Sequence, residues 1–328
     1  MKAIVVGSQE AGAPLTWSEI SPPSLGPGEV LVDVHATALN RADLLQRAGK
    51  YPPPPGASEI LGLEMAGTVR RQGEGASGWS EGDRVCALLP GGGYAEQVSV
   101  PADMLIPVPP GMSMAQAAAL PEAFLTAYSA LFWEGRLKDG EKVLIHAGAS
   151  GVGTAAIQLA RRAGCRVFAT AGSPQKTAAC ESLGAELGIN YREQDFEERI
   201  GAHLGGSGVD VIIDMVGKDY FEKNLRLMNK RGRLVFVSAQ SGNSVGLNIR
   251  ELMAKRLELI GATLRVRPVE EKVALKDSFL GRFGSDLEAG EVKPVIDRVF
   301  PIAQVEEAHR FMSEKRNIGK IVLAISRD

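Results

Sequence analysis

The stretch KVLIHAGASGVGTAAIQLARRAG, residues 142–164, decides the fold. Residues 142–147 form a short apolar run of the length expected for a buried parallel strand. From Ala156 onward small and apolar residues recur at Leu159, Ala160 and Ala163, the spacing of one helix face. Between the two the backbone has to turn sharply. Gly148, Gly151 and Gly153 permit that turn, and their missing side chains leave room for a phosphate group beside the first N–H groups of the helix, where the helix dipole favours negative charge.

These glycines match G-x-G-x-x-G in two registers. Counted from Gly148, Ser150 occupies the middle glycine position; counted from Gly151, the pattern is G-x-G-x-x-A and ends at Ala156. Glycines of this kind also mark ordinary strand-to-helix turns, so the context decides. A second strand pattern, RVFATA at residues 166–171, follows at βαβ spacing and predicts a dinucleotide-binding unit. A triphosphatase phosphate loop is excluded, because no Lys follows Gly153.

The end of that second strand is where such units choose their cofactor. An NAD-binding chain carries Asp or Glu ~20 residues past the glycine turn, to bind the ribose 2′-hydroxyl. Here Gly172, Ser173 and then Lys176 occupy the place. A carboxylate would repel a 2′-phosphate, whereas a hydroxyl and an ammonium bind it, so the expected cofactor is NADPH. The alternative leaves Lys176 as a solvated residue opening the next helix.

Length and composition bound the rest. The 328 residues suffice for two domains, and 37 basic against 39 acidic residues announce no nucleic-acid or membrane footprint. Three cysteines, Cys86, Cys165 and Cys180, show no metal-binding spacing and suit a reducing compartment. The N-terminal MKAIVVG reads as a strand, with no secretory pattern, and no apolar run reaches membrane-spanning length; the expected location is cytoplasmic. The four histidines, His35, His146, His203 and His309, suggest neither a metal site nor a nucleophile's base, and His146 reads as structural. No G-x-S-x-G elbow makes Ser150 a nucleophile.

Residues 1–122 read as mainly β: VLVDVHATAL alternates, GTVRRQGEG ends in a glycine turn, and GDRVCALLPGGGYAEQVSVP holds two strands joined at Gly91, Gly92 and Gly93. From Ala123 a helix over residues 123–135 leads into alternating strands and helices. Strands are expected at 142–147, 166–171, 187–190, 209–214, 233–238 and 257–262, a complete doubly wound six-stranded parallel Rossmann sheet over residues 123–264. The alternation stops after Leu264. A helix at 270–288, the segment VIDRVFPI, a helix at 305–315 and the strand GKIVLAI are too little for a third domain. Residues 265–328 are therefore expected to return to the first, leaving the Rossmann unit as an insertion.

This arrangement resembles the medium-chain dehydrogenase/reductase superfamily, through ALNRADLLQRAG (residues 38–49), GLEMAG (62–67), the glycine stretch and NIGKIVL (317–323). Within it the chain is most similar to the zinc-free quinone oxidoreductases, zeta-crystallin among them, through LNRADLLQRAGKYPPPPGAS, ALLPGGG and LPEAFLTAYSAL. The resemblance implies a GroES-like fold for the β-rich domain. It also places Asn40, Leu63 and Glu122 where zinc alcohol dehydrogenases carry a Cys, a His and a second Cys. An amide and an isobutyl group cannot replace a thiolate and an imidazole on zinc, so no metal is expected.

By the same resemblance, Gly148, Ser150, Gly151, Val152 and Gly153 meet the pyrophosphate, and Gly172, Ser173, Lys176 and Tyr191 the adenosine 2′-phosphate end. Val237, Ser238, Thr263 and Leu264 lie near the nicotinamide half, and Asn317 closes over the cofactor; ordinary sheet packing is the competing account of the strand-end residues. Asn40 and Tyr51 are the candidate catalytic residues, an amide and a phenol for the acceptor. The plainer alternatives make Asn40 a helix cap and Tyr51 packing on the proline run 52–55. Without a Lewis acid the acceptor has to be electrophilic already, which points to an NADPH-dependent quinone reductase with a small-molecule quinone as substrate. An α,β-unsaturated carbonyl reductase and a non-catalytic NADPH-binding protein are the alternatives. A homodimer is expected by resemblance, with residues 257–264 as the pairing edge or, alternatively, as one buried strand.

Overall fold

Short runs of β-branched and apolar residues that are buried on both faces pair best in parallel, with helices covering the sheet. The structure, a computed structural model, describes residues 1–8 and 13–325; residues 9–12 and 326–328, inside the ranges assigned above to the β-rich domain, lie outside that description. Strands Leu187–Asn190, Arg166–Ala171, Lys142–Ile145, Val209–Asp214, Met228–Phe236 and Glu258–Gly261 lie side by side in that order. Every neighbouring pair is parallel. Helices Gly151–Arg162, Pro174–Ser182, Phe196–His203, Phe221–Leu227 and Ile249–Lys255 supply the crossovers. This is the doubly wound sheet expected from the sequence. The winding reverses between Lys142–Ile145 and Val209–Asp214, so the ligand crevice of such a sheet lies beyond their carboxyl ends.

Leu144, Phe168, Ile189, Ile212 and Leu234 are fully buried along these strands. Some strand limits depart from expectation. The first strand stops at Ile145, two residues early, because Ala147 takes a left-handed backbone with φ of 52°. The fifth starts early, at Met228. The helix expected over residues 123–135 is an α-helix at Pro121–Tyr128 continued by a π-helix at Ser129–Glu134.

The chain divides into two compact units, residues 124–263 and residues 1–123 with 264–328. In the latter, Glu29–Ala38 is the central strand and pairs antiparallel with Glu64–Gln72, Gln97–Pro101 and Lys320–Ala324. Ile296–Pro301 extends the sheet beyond Lys320–Ala324, and Arg84–Leu88 and Leu105–Pro107 extend it beyond Glu64–Gln72. Strands Arg84–Leu88 and Gln97–Pro101 do not pair with each other; the glycines between them carry the chain past Glu64–Gln72. A Cβ on Gly93 would stand 2.7 Å from the Glu64 carbonyl oxygen, so a glycine is needed for that approach. Val322 pairs with Ala38 and Leu323 with Thr37, so the last described strand joins the sheet built on Glu29–Ala38.

Helix Val305–Ser313 packs Val305, Ala308 and Phe311 into this unit and buries His309 with them. Tyr94 donates to Asp43 Oδ2 at 3.2 Å, and its oxygen lies 3.3 Å from His309 Nε2. The ring is therefore neutral, with its proton on Nε2 toward Tyr94, while Nδ1 has no partner. Burial, helped by the Arg47 cation, pushes the His309 pKa down to about 4. The unfolded chain takes up a proton at this imidazole below about pH 6.5, whereas the folded chain resists until about 4, so acid favours unfolding across that window. The expected loss from this group is about 2 kcal/mol between about pH 7 and about pH 5. It is read as the fall in urea midpoint, and His309→Gln should show a shallower fall.

Candidate active site

At the carboxyl end of strand Lys142–Ile145 the chain makes the glycine turn. A Cβ on Gly153 would come 2.4 Å from the Ala147 carbonyl oxygen and 2.6 Å from that of Gly148. One on Gly148 would come 2.8 Å from Ala169 Cβ and 2.9 Å from Cys180 Sγ. Both positions are closed to any side chain, the first by backbone approach and the second by helix-to-sheet packing. Ser150 caps helix Gly151–Arg162, its Oγ accepting from the Gly153 N–H at 3.0 Å. The N–H groups of Gly151 and Val152 have no hydrogen-bond partner among the described residues. Two open donors on the first turn of a twelve-residue helix fit a pyrophosphate.

Beneath this turn lies a closed polar chain. Asn224 Nδ2 donates to Asp214 Oδ2 at 3.1 Å, and its Oδ1 stands 2.8 Å from His146 Nε2. Thr170 Oγ1 lies 3.0 Å from His146 Nδ1. Asn224 has only its oxygen to offer, so His146 is a neutral ring with its proton on Nε2, and burial holds its pKa below the usual value. His146 is structural, as expected. Asp214 Oδ1 also accepts from the N–H groups of Val216 and Gly217, at 2.6 and 3.1 Å. That fixes the loop after the fourth strand.

At the end of strand Arg166–Ala171, a Cβ on Gly172 would meet the Tyr191 hydroxyl at 2.7 Å, so these two expected site residues are held against each other. Ser173 caps helix Pro174–Ser182 by accepting from the Lys176 N–H at 3.3 Å, which sets both in one helix turn. Val237 and Ser238 both donate backbone N–H groups to the Asp214 carbonyl, at 2.8 and 3.4 Å. Thr263 ends this unit and the buried Leu264 begins the returning segment. Asn317 Nδ2 donates to the Gly319 carbonyl at 2.6 Å, within the turn that leads into Lys320–Ala324.

In residues 1–123 and 264–328, Asn40 sits in a charged cluster. Lys320 Nζ bonds Asn40 Oδ1 and Glu64 Oε1, each at 2.6 Å, and the Leu39 carbonyl at 2.9 Å. Asn40 Nδ2 donates to Glu64 Oε1 at 2.9 Å, and Glu64 Oε2 accepts the Glu122 N–H at 2.8 Å. Asp43 accepts from the N–H groups of Asn40 and Gly62, at 2.7 and 3.1 Å, and burial, opposed by these bonds, raises its pKa to about 6. Tyr51 lies under the Arg265 guanidinium, 5.1 Å from the ring centroid. Arg265 is itself buried and bonds Pro90 O at 2.8 Å and Gln46 Oε1 at 2.7 Å, while Lys272 Nζ holds the Arg265 carbonyl at 2.9 Å. Tyr51 thus faces a cation, and its own hydroxyl has no partner among the described residues. Its pKa is raised, first by burial and then by Glu122.

Glu64, Asp43, Lys320, Arg265 and Lys272 were not among the residues expected at the site, and Glu122 was singled out only as a position that does not hold zinc. The available signal was charge inside apolar strands, Glu64 within LEMAG and Lys320 before IVL, because a charge there needs a partner. The donor set does not suit zinc: Leu63 is buried in the core, and the Asn40 oxygen holds Lys320.

A doubly wound sheet with a glycine turn and open N–H donors defines a nicotinamide-dinucleotide oxidoreductase scaffold. Residues 151–277 match the family described as zinc-binding dehydrogenase, and residues 26–110 the alcohol dehydrogenase GroES-like domain. Rattus norvegicus quinone oxidoreductase is 33% identical, over 94% of this chain and 92% of its own. The quinone oxidoreductase of Thermus thermophilus, solved also in complex with NADPH, superposes with a TM-score of 0.82 at 35% identity, covering 99% of this chain and 100% of its own. The CurK enoyl reductase superposes at 0.85 with 29% identity, covering 98% of each chain. The chain belongs to the medium-chain dehydrogenase/reductase family, and it is an NAD(P)-dependent oxidoreductase.

The cluster makes one substitution decisive. Lys320→Met removes the cation that bonds the fully buried Glu64 carboxylate, and should cost about 3–5 kcal/mol of unfolding free energy. Urea denaturation followed by circular dichroism measures it.

Proposed function

We propose that this protein is an NADPH-dependent quinone reductase, with residues 124–263 binding the dinucleotide and the remainder forming the catalytic unit. The observation that carries the reading is the end of strand Arg166–Ala171. No carboxylate stands at Gly172, Ser173 or Lys176 to claim a ribose 2′-hydroxyl, and a serine, a lysine and a tyrosine supply donors to a 2′-phosphate. The NADPH complex of the bacterial quinone oxidoreductase supports the same cofactor. Gly151 and Val152 offer N–H groups to the pyrophosphate, with Gly148, Ser150 and Gly153 shaping the turn. Val237, Ser238 and Thr263, in the same unit, are assigned to the nicotinamide half.

Bound NADPH supplies a hydride equivalent to an electrophilic carbon. The protein's share is to hold and polarise the acceptor. Asn40 is fixed through Lys320 and Glu64, and Tyr51, placed by Arg265, offers a free hydroxyl to an acceptor oxygen. Quinones suit this site because reduction makes them aromatic, and relatives named quinone oxidoreductase support that acceptor. Enones are the second reading, favoured by the unpartnered Tyr51 hydroxyl and by the enoyl reductase fold match. Strand Glu258–Gly261 ends the sheet, and its free edge supports a homodimer reading.

The first test is NADPH oxidation with an ortho-quinone, a para-quinone and an enal in parallel, with NADH as control. Quinone-dependent oxidation that favours NADPH is expected; enal-dependent oxidation alone selects the second reading. Lys176→Ala should weaken NADPH binding by roughly 10- to 100-fold, the ~1.5–3 kcal/mol of a charged hydrogen bond, and leave NADH binding far less affected. Equal losses for both cofactors would remove the specificity assignment. Tyr51→Ala should lower quinone kcat/KM by about tenfold or more. An unchanged value would make Tyr51 packing only.

A further inference from the structure

Three carboxyl groups share the cluster around Lys320, and their partners differ. Glu64 is ion-paired with Lys320 at 2.6 Å and also accepts from Asn40 and from the Glu122 N–H. Asp43 accepts from two backbone N–H groups and from Tyr94. The Glu122 carboxyl has no hydrogen-bond partner among the described residues. The nearest cations are committed elsewhere: Lys320 to Glu64, Asn40 and Leu39, Arg265 to Pro90 and Gln46, and Lys272 to the Arg265 carbonyl.

Glu64 has a cation and two N–H donors and Asp43 has three donors, so of the three carboxyls the one without donors is the one that keeps its proton. Burial is the largest cause that raises the Glu122 pKa, to about 8, and Glu64 and Asp43 add to it against Lys320 and Arg265. A neutral carboxyl is a hydrogen-bond donor. Like the Tyr51 hydroxyl, it has no acceptor among the described residues.

We propose that the Glu122 carboxyl is the general acid that protonates the reduced acceptor. The role rests on the reductase reading and adds a residue to it. For an enal the balance is as follows. Hydride adds with its electron pair to the β-carbon as NADPH becomes NADP⁺, the C=C pair shifts to give an enolate with its charge on oxygen, and the Glu122 O–H bond then breaks as its proton forms the new C–H bond at the α-carbon and the C=O bond re-forms, giving the saturated aldehyde. The Glu122 carboxylate then regains a proton from water. A reduced quinone is a more stable anion that water can protonate, so it depends less on this acid.

The test compares wild type with Glu122→Gln, which keeps the shape and cannot donate an acidic proton. The wild-type enal kcat should be flat below about pH 8 and fall above it. In Glu122→Gln that limb should vanish, with enal kcat lower by about 100-fold and the quinone loss at least roughly tenfold smaller. The infrared C=O band of a protonated carboxylic acid should be present in the wild type without cofactor at neutral pH and absent from the variant. A retained limb, equal losses for enal and quinone, or no difference in that band would overturn the proposal. So would a wild type that reduces the quinone and not the enal. If neither acceptor is reduced, the reductase reading fails and this role with it. If only the quinone half of that reading fails, the enal arm still decides Glu122.

Discussion

The ammonium of Lys320 is the point on which residues 1–123 and 264–328 depend. It stands at the start of the last described strand and is nearly inaccessible to water, against a fully buried Glu64. An isolated charge at either place would be too costly to bury, so neither strand can occupy its position without the other. The ion pair therefore does more than join two residues. It sets the register of Lys320–Ala324 on Glu29–Ala38, orients the Asn40 amide through both its atoms, and draws in the N–H of Glu122.

Residues 124–263 obey a different constraint, close backbone approach. Gly153 lies so near two carbonyl oxygens that the turn closes only without a side chain, and Ala147 accepts a left-handed backbone just before it. The chain from Asp214 through Asn224 and His146 to Thr170 holds the strands under that turn with every central atom paired. The N–H groups of Gly151 and Val152 have no partner among the described residues, so an anion could be received there without breaking a hydrogen bond.

Much of the fold was legible in the chain because its signals are local. Apolar runs of four to six residues, separated by helical spacing and glycine turns, specify a doubly wound sheet, and five of its six strands lie within two residues of expectation at each end. The misses have local causes as well. Ala147 leaves the ladder through its own backbone angle, and the π-helix at Ser129–Glu134 keeps a helical pattern while changing its hydrogen bonding. The candidate site was legible only in part. The glycine turn and the Gly172, Ser173 and Lys176 sequence could be read because adjacent residues build them. The cluster around Asn40 draws on residues 40, 43, 64, 122, 265, 272 and 320; helix-cap spacing relates Asn40 to Asp43, and no local pattern joins that pair to Glu64, Glu122 or Lys320.

The sequence by itself determined which segments become strands and helices, where the chain makes its glycine turn, and that no carboxylate stands at Gly172, Ser173 or Lys176. Each of these depends on side chains and backbone angles close together in the chain. Only the tertiary structure decided the partners of the buried charges. It joined Lys320 to Glu64 and Asn40, set Arg265 over Tyr51, and left the Glu122 carboxyl without a donor among the described residues. Charge state and orientation depend on what lies within a few ångströms in space, and here those neighbours are up to about 280 residues apart in the chain.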